Sequence, residues 1–205
     1  MIRTLPRDDE PVWKRAEYDD EDVIDGIPHL TAVGYGIETA YKAHLIALLE
    51  EYGWDVETEV WANGKRGRVD IVAEHPAVGC VGIEVKRSRN YTGRHIATGI
   101  GQLLNYRSYT YSDYDIDYWA LAPGFDVGHN GGNGRHFKEV RNMFRRTLAE
   151  LKLGMLSRRR EAIGFGKKRE LGIPLREPES VTEADLDKIN ETIADRTWDV
   201  SEYDP

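Results

Sequence analysis

Residues Val78 to Lys86 read Val-Gly-Cys-Val-Gly-Ile-Glu-Val-Lys, an apolar run that ends on an acid and a base. So short an apolar stretch, preceded by the breaker pair His75-Pro76, has the pattern of a strand. Side chains two apart in a strand share a face, so Glu84 and Lys86 project one way while Ile83 and Val85 project the other. Unpaired charges at the end of such an apolar strand are expensive. A second strand, Arg68 to Glu74, stands just upstream and carries Asp70. The connection is short enough for a hairpin, which brings Asp70 close to Glu84 although 14 positions separate them.

The flanking chain alternates helical and extended patterns. Ile37, Ala40, Tyr41, His44, Leu45, Leu48 and Leu49 recur at three- and four-residue steps and predict a helix from Gly36 that Gly53 ends. Val56 to Trp61 alternates like a strand, and Asn63-Gly64-Lys65-Arg66-Gly67 is a turn. A helix is expected over 92–109, a buried strand over Tyr118 to Ala122, and a glycine loop at 128–134. A second long helix follows over 136–152, with short strands around Met155–Leu156 and Ala162–Phe165. Thr182 with Asp185 forms a capping box for a last short helix bearing Leu186, Ile189 and Ile193. This order predicts an α/β chain, a mixed central sheet with helices packed against it.

Length and composition fit that class. The 205 residues suit one domain with additions, and 40% hydrophobic residues supply a core. No run approaches the roughly 18 apolar residues of a membrane helix, and no apolar stretch opens the chain, so a cytoplasmic protein without membrane contact is expected. A lone Cys80 excludes a disulfide framework, a Cys-rich zinc site and a four-Cys iron–sulfur cluster. It reads as a small buried apolar residue, and His44 as a structural histidine.

The net charge of −8 looks unsuited to a polyanionic partner, but it is unevenly spread. Residues 1–30 form an acidic arm with 4 basic and 9 acidic side chains. Residues 31–176 form the main domain, ending in a basic block over 135–176 with 13 basic and 4 acidic side chains. Residues 177–205 are an acidic tail, with 2 and 10. Screening over about 10 Å lets such a block bind phosphates whatever the total charge.

Asp70, Glu84 and Lys86 carry the chemistry. Two adjacent carboxylates make a hard-oxygen site for Mg²⁺ or Mn²⁺, and repel one another unless a cation lies between them. The Lys86 ammonium suits orienting an attacking water or steadying charge on a pentavalent phosphate, which together describe metal-assisted phosphodiester hydrolysis.

These residues resemble the PD-(D/E)xK nuclease superfamily, of restriction-endonuclease-like fold with an α-β-β-β-α-β core. The matching pieces are Gly36-Ile37-Glu38-Thr39-Ala40-Tyr41-Lys42, Gly67-Arg68-Val69-Asp70-Ile71-Val72, Gly82-Ile83-Glu84-Val85-Lys86 and Gly101-Gln102-Leu103-Leu104-Asn105-Tyr106. They span about residues 34–125. Glu38 with the two strand motifs is similar to archaeal Holliday-junction resolvases; Gln102 with Tyr106 is similar to RecB-type nucleases. The residue before Asp70 is Val69 where the motif has proline.

The resemblance implies Asp70, Glu84 and the Val85 carbonyl as metal ligands and Lys86 as the catalytic lysine. It implies Glu38 as an accessory carboxylate and Gln102 as a contact to water or the scissile phosphate. The function it implies is a divalent-metal-dependent deoxyribonuclease, an endonuclease of junction-resolving, restriction or repair type. A RecB-like exonuclease and a non-catalytic nucleic-acid-binding member are the alternatives. Arg87, Arg89 and Arg94 beside the site, with Arg141, Arg145 and Arg146 in the basic block, are the expected DNA contacts. Tyr106, Tyr109 and Tyr111 either stack on bases or pack against the sheet. A junction-resolving enzyme would be a homodimer, since it makes paired cuts.

Overall fold

Two apolar faces on one sheet demand two layers of helix, and the computed structural model has that architecture. It describes residues 23–24, 27–28, 30, 38–86, 93–123, 143–158, 160–166 and 171–194. A minimal antiparallel pair, β1 (Val23–Ile24) and β2 (Ile27–Pro28), precedes helix α1 (Glu38–Glu51). Then come β3 (Asp55–Trp61), β4 (Arg68–His75), β5 (Gly79–Lys86), helix α2 (Gly93–Tyr106) and β6 (Tyr118–Pro123). Helix α3, described over 143–150, leads to β7 (Gly154–Ser157), β8 (Ala162–Gly164), β9 (Gly172–Pro174) and helix α4 (Glu183–Ala194).

Strands β3 to β9 form one seven-stranded sheet in chain order. β3, β4 and β5 pair antiparallel, β5, β6 and β7 parallel, and β8 and β9 antiparallel again. The β4–β5 connection is as tight as its sequence implied. Gly79 closes it at φ 97°, and a Cβ there would lie 2.4 Å from Asp117 Oδ2, so only glycine fits. Every residue of β6 is buried, as suits a strand with parallel neighbours and helices on both faces.

Tyr41, Leu45, Leu48 and Leu49 of α1 pack on Ile71, Ile83, Val85, Ala120 and Ala122, joined by Ile189 of α4. On the other face Ile96, Ile100 and Leu103 of α2, with Phe144 and Leu148 of α3, cover Val72, Cys80 and Leu121. Each fully buried leucine contributes about 2 kcal/mol.

The acidic ends contribute to this core where they are described. Leu30, the last residue of the expected arm, is fully buried. Its N–H donates to Glu161 Oε1 at 2.5 Å and its carbonyl accepts from Arg158 Nε at 3.0 Å. Glu161 is itself buried and paired with Arg176. Thr182 caps α4 as expected: its Oγ1 accepts from the Asp185 amide at 3.2 Å, and Asp185 Oδ2 accepts from the Thr182 amide at 3.2 Å. The helix predicted over 92–109 stops at Tyr106, and β9 was not anticipated. The glycine loop at 128–134 lies outside the described residues. Among the described residues no helix is long and apolar enough to cross a membrane.

Candidate active site

Strand pairing brings the two carboxylates together. Ile71 pairs with Ile83 and Val72 with Gly82, and one residue beyond that pairing Asp70 lies beside Glu84, close enough for the two carboxyls to interact. Asp70 Oδ2 accepts the Val85 main-chain N–H at 2.9 Å, which anchors the first carboxylate on the strand that carries the second.

Glu84 is the one acidic side chain of β5 and, at 1% exposure, is buried between apolar neighbours. One of its oxygens pairs with the Lys86 ammonium on the same face; the other, Oε2, is buried and, among the described residues, has no N–H or O–H donor, its carboxyl neighbour being Asp70. Burial first, and the Asp70 charge second, push the Glu84 carboxyl up to about 7, against the pull of Lys86. A buried carboxylate oxygen without a donor, facing a second carboxylate, is the arrangement a cation would relieve. Among the described residues no group of three or more His, Cys, Asp or Glu side chains converges. A cation here would therefore take two carboxylates and fill its remaining positions with main-chain oxygen and water, which suits Mg²⁺ or Mn²⁺ better than zinc.

Helix α2 lies over this face. A Cβ on its Gly99 would meet Lys86 Cγ at 2.9 Å and Leu121 Cδ1 at 2.6 Å, so the missing side chain is the space through which the Lys86 stem passes. One turn on, Gln102 Nε2 donates to the Tyr106 hydroxyl at 3.1 Å, while Gln102 Oε1 is buried and has no partner among the described residues. Burial holds the Tyr106 hydroxyl above its usual range, and the Glu84 charge adds to it. The Gln102–Tyr106 pair thus sits within the field of the carboxylates.

Two residues not anticipated from sequence complete the cluster. Lys42 of α1 places Nζ 3.4 Å from Asp70 Oδ1 and is also paired with Glu59 Oε1 of β3. Glu59 falls between the pairs Thr58–Ile71 and Val60–Val69, at the level of Asp70, and its φ is 59°. The turn at Glu59 interrupts the alternation: Ile71 packs with the α1 side, whereas Val60 and Val69 pack with the α2 side. Arg68 Nε reaches Glu59 Oε2 at 2.6 Å and lies over the exposed Trp61 ring, 5.5 Å from its centre. Glu38 opens α1 one turn before Lys42, on the same stripe of the helix.

The expected DNA contacts are only partly described. Arg87, Arg89 and Arg141 lie outside the described residues, as does the side chain of Arg94. Arg145 and Arg146 are on α3, Arg146 exposed. The basic block is not all surface: Arg158 is buried over the Tyr41 ring, and Arg176 is spent on Glu161. Tyr106 and Tyr111 are buried against the sheet. Tyr109 lines a cleft of about 570 Å³ on the 107–117 connection, together with Tyr114 and Trp119. Asp70, Glu84 and Lys86 do not line that cleft. Cys80 is buried, its thiol pushed up to about 12 mainly by that burial, and His44 is fully buried in the α1 interface.

Comparison with protein-family models, with curated proteins and with solved structures finds no match to this chain.

Proposed function

We propose that this chain is a divalent-metal-dependent deoxyribonuclease that hydrolyses DNA phosphodiester bonds at Asp70, Glu84 and Lys86, on a restriction-endonuclease-like core. The observation that carries the reading is the buried Glu84 Oε2, without an N–H or O–H donor among the described residues, set beside Asp70, with Lys86 on the same face.

Asp70 Oδ1 and Glu84 Oε2, with the Val85 carbonyl, would hold Mg²⁺ or Mn²⁺. Such an ion neutralises phosphate charge and lowers the pKa of a bound water. The chain's own residues do the positioning. Val85 N–H fixes Asp70, and the apolar walls of β5 and β6 hold Glu84 in one place and exclude bulk water. Lys86, threaded past Gly99, places its ammonium where it orients the attacking water or steadies charge on phosphorus. Gln102 Oε1 is free to accept a hydrogen bond from that water. Water oxygen adds to phosphorus and one P–O ester bond breaks, leaving a phosphate monoester and a hydroxyl that takes the proton. Arg87, Arg89, Arg94, Arg141, Arg145 and Arg146 are assigned to the DNA backbone, which orients substrate without reading sequence.

The test is a cleavage panel in Mg²⁺ and Mn²⁺ on linear duplex, single-stranded, flap and four-way DNA. Cleavage that EDTA stops and Lys86→Ala lowers at least about a thousandfold, with DNA binding retained, supports the reading. Cleavage that survives in purified Lys86→Ala and Asp70→Ala proteins would sink it. The branch of substrate cut best separates a junction-resolving from an end-directed enzyme.

A further inference from the structure

We propose that Lys42 is the exchangeable counter-ion of Asp70: it competes with a divalent cation for Asp70 Oδ1, and its pairing with Glu59 holds it when a divalent ion takes Asp70. This rests on the assignment of Asp70 and Glu84 as a cation site.

Each carboxylate of that site already has a lysine. Lys86 is paired with Glu84 from the same strand, and Lys42 reaches Asp70 from α1. The two oxygens of Asp70 are not equivalent. Oδ2 is committed to the Val85 amide, so Oδ1 is the oxygen left for a cation, and it is the one Lys42 faces at 3.4 Å. An ammonium and a divalent ion cannot share that oxygen without strong repulsion.

Lys42 has somewhere to go. It is already paired with Glu59, whose carboxylate is steadied from its other side by Arg68. Glu59 is held by a left-handed backbone conformation that costs a non-glycine residue energy, and such strain persists where surrounding structure determines it. With the side chain of Lys42 14% exposed, the ammonium is confined between Asp70 and Glu59 rather than free in solvent. The result is a part-buried Asp70 beside a buried Glu84, each with a lysine at hand but still repelling one another enough to raise the Glu84 carboxyl.

The test is Mn²⁺ titration of the full chain, with free Mn²⁺ followed by electron paramagnetic resonance. Lys42→Met removes the competing charge and is expected to tighten Mn²⁺ binding about tenfold. Lys42→Arg keeps the charge and is expected to leave binding close to that of the wild type. Glu59→Gln leaves Lys42 to Asp70 alone and is expected to weaken binding about fivefold, an effect that shrinks in a Lys42→Met background. Opposite signs for two neighbouring substitutions are not what damage to packing would produce. Binding that depends on Asp70 but is unchanged or weakened by Lys42→Met overturns the role of Lys42 alone, as does tightening by Lys42→Arg equal to that by Lys42→Met. Binding that Asp70→Asn leaves intact, or no binding by the wild type, removes the cation site and this role with it.

Discussion

The main-chain amide of Val85 donates to Asp70 Oδ2 at 2.9 Å across the β4–β5 pair. One bond therefore ties the position of the first carboxylate to the strand of the second, and commits one oxygen of Asp70 while leaving the other for chemistry. Everything proposed for the site depends on that asymmetry together with the buried Glu84.

Glu84 should make the stability of the chain depend on pH. Its carboxyl is raised from 4.5 to about 7 by burial and by Asp70. A raised folded-state value means that the neutral acid is favoured on folding, so its contribution is complete below about pH 4.5. It is lost progressively as the pH rises to about 7. Glu84→Gln lacks this loss. In urea unfolding without metal, the variant should gain on the wild type by about 3 kcal/mol between pH 4.5 and 8. A difference that stays constant over that range would show that Glu84 is not held in a desolvated, like-charged setting.

Gly99 should matter through Lys86 rather than through α2. A Cβ at 99 falls 2.9 Å from Lys86 Cγ, so Gly99→Ala must push the lysine stem aside. Alanine favours the helix by about 1 kcal/mol, which offsets part of the crowding. Catalysis is far more sensitive to small displacements. Cleavage should fall at least about tenfold, more than the modest loss of stability from crowding buried Leu121 can explain; full activity in Gly99→Ala would mean that the lysine is not positioned by this gap.

Much of the site was legible because strand chemistry is short-range. The two-residue period put Glu84 and Lys86 on one face, and the brief His75-Pro76 connection put Asp70 beside Glu84. Lys42 and Glu59 were not legible. A lysine on a helix reads as a solvated charge, and its reach to Asp70 depends on how α1 lies across the sheet. Nothing in a glutamate's identity foretells a φ of 59°. The α1-to-β6 order was readable from periodicity, whereas β9 is three residues long and too short to show a period. The basic block was not legible as surface for a related reason: Arg158 is buried and Arg176 part-buried by long-range partners, Leu30 and Glu161.

Those partners make their own prediction. Glu161 is 2% exposed, accepts from the Leu30 amide and pairs with Arg176, whose guanidinium also lies over Tyr52. Removing one member of a buried ion pair strands the other. Glu161→Ala should therefore cost about 3 kcal/mol in urea unfolding. A loss below about 1 kcal/mol would show that the segment around Leu30 does not depend on this network.

The proposed cation site can be tested directly. Crystals of the wild-type chain soaked in Mn²⁺ and measured at the manganese absorption edge should show one anomalous peak between Asp70 and Glu84. It should lie about 2 Å from an oxygen of each, with Lys42 drawn away from Asp70. An anomalous map without a peak there, or one whose peak touches neither Asp70 nor Glu84, would overturn the assignment of these two residues as a metal site.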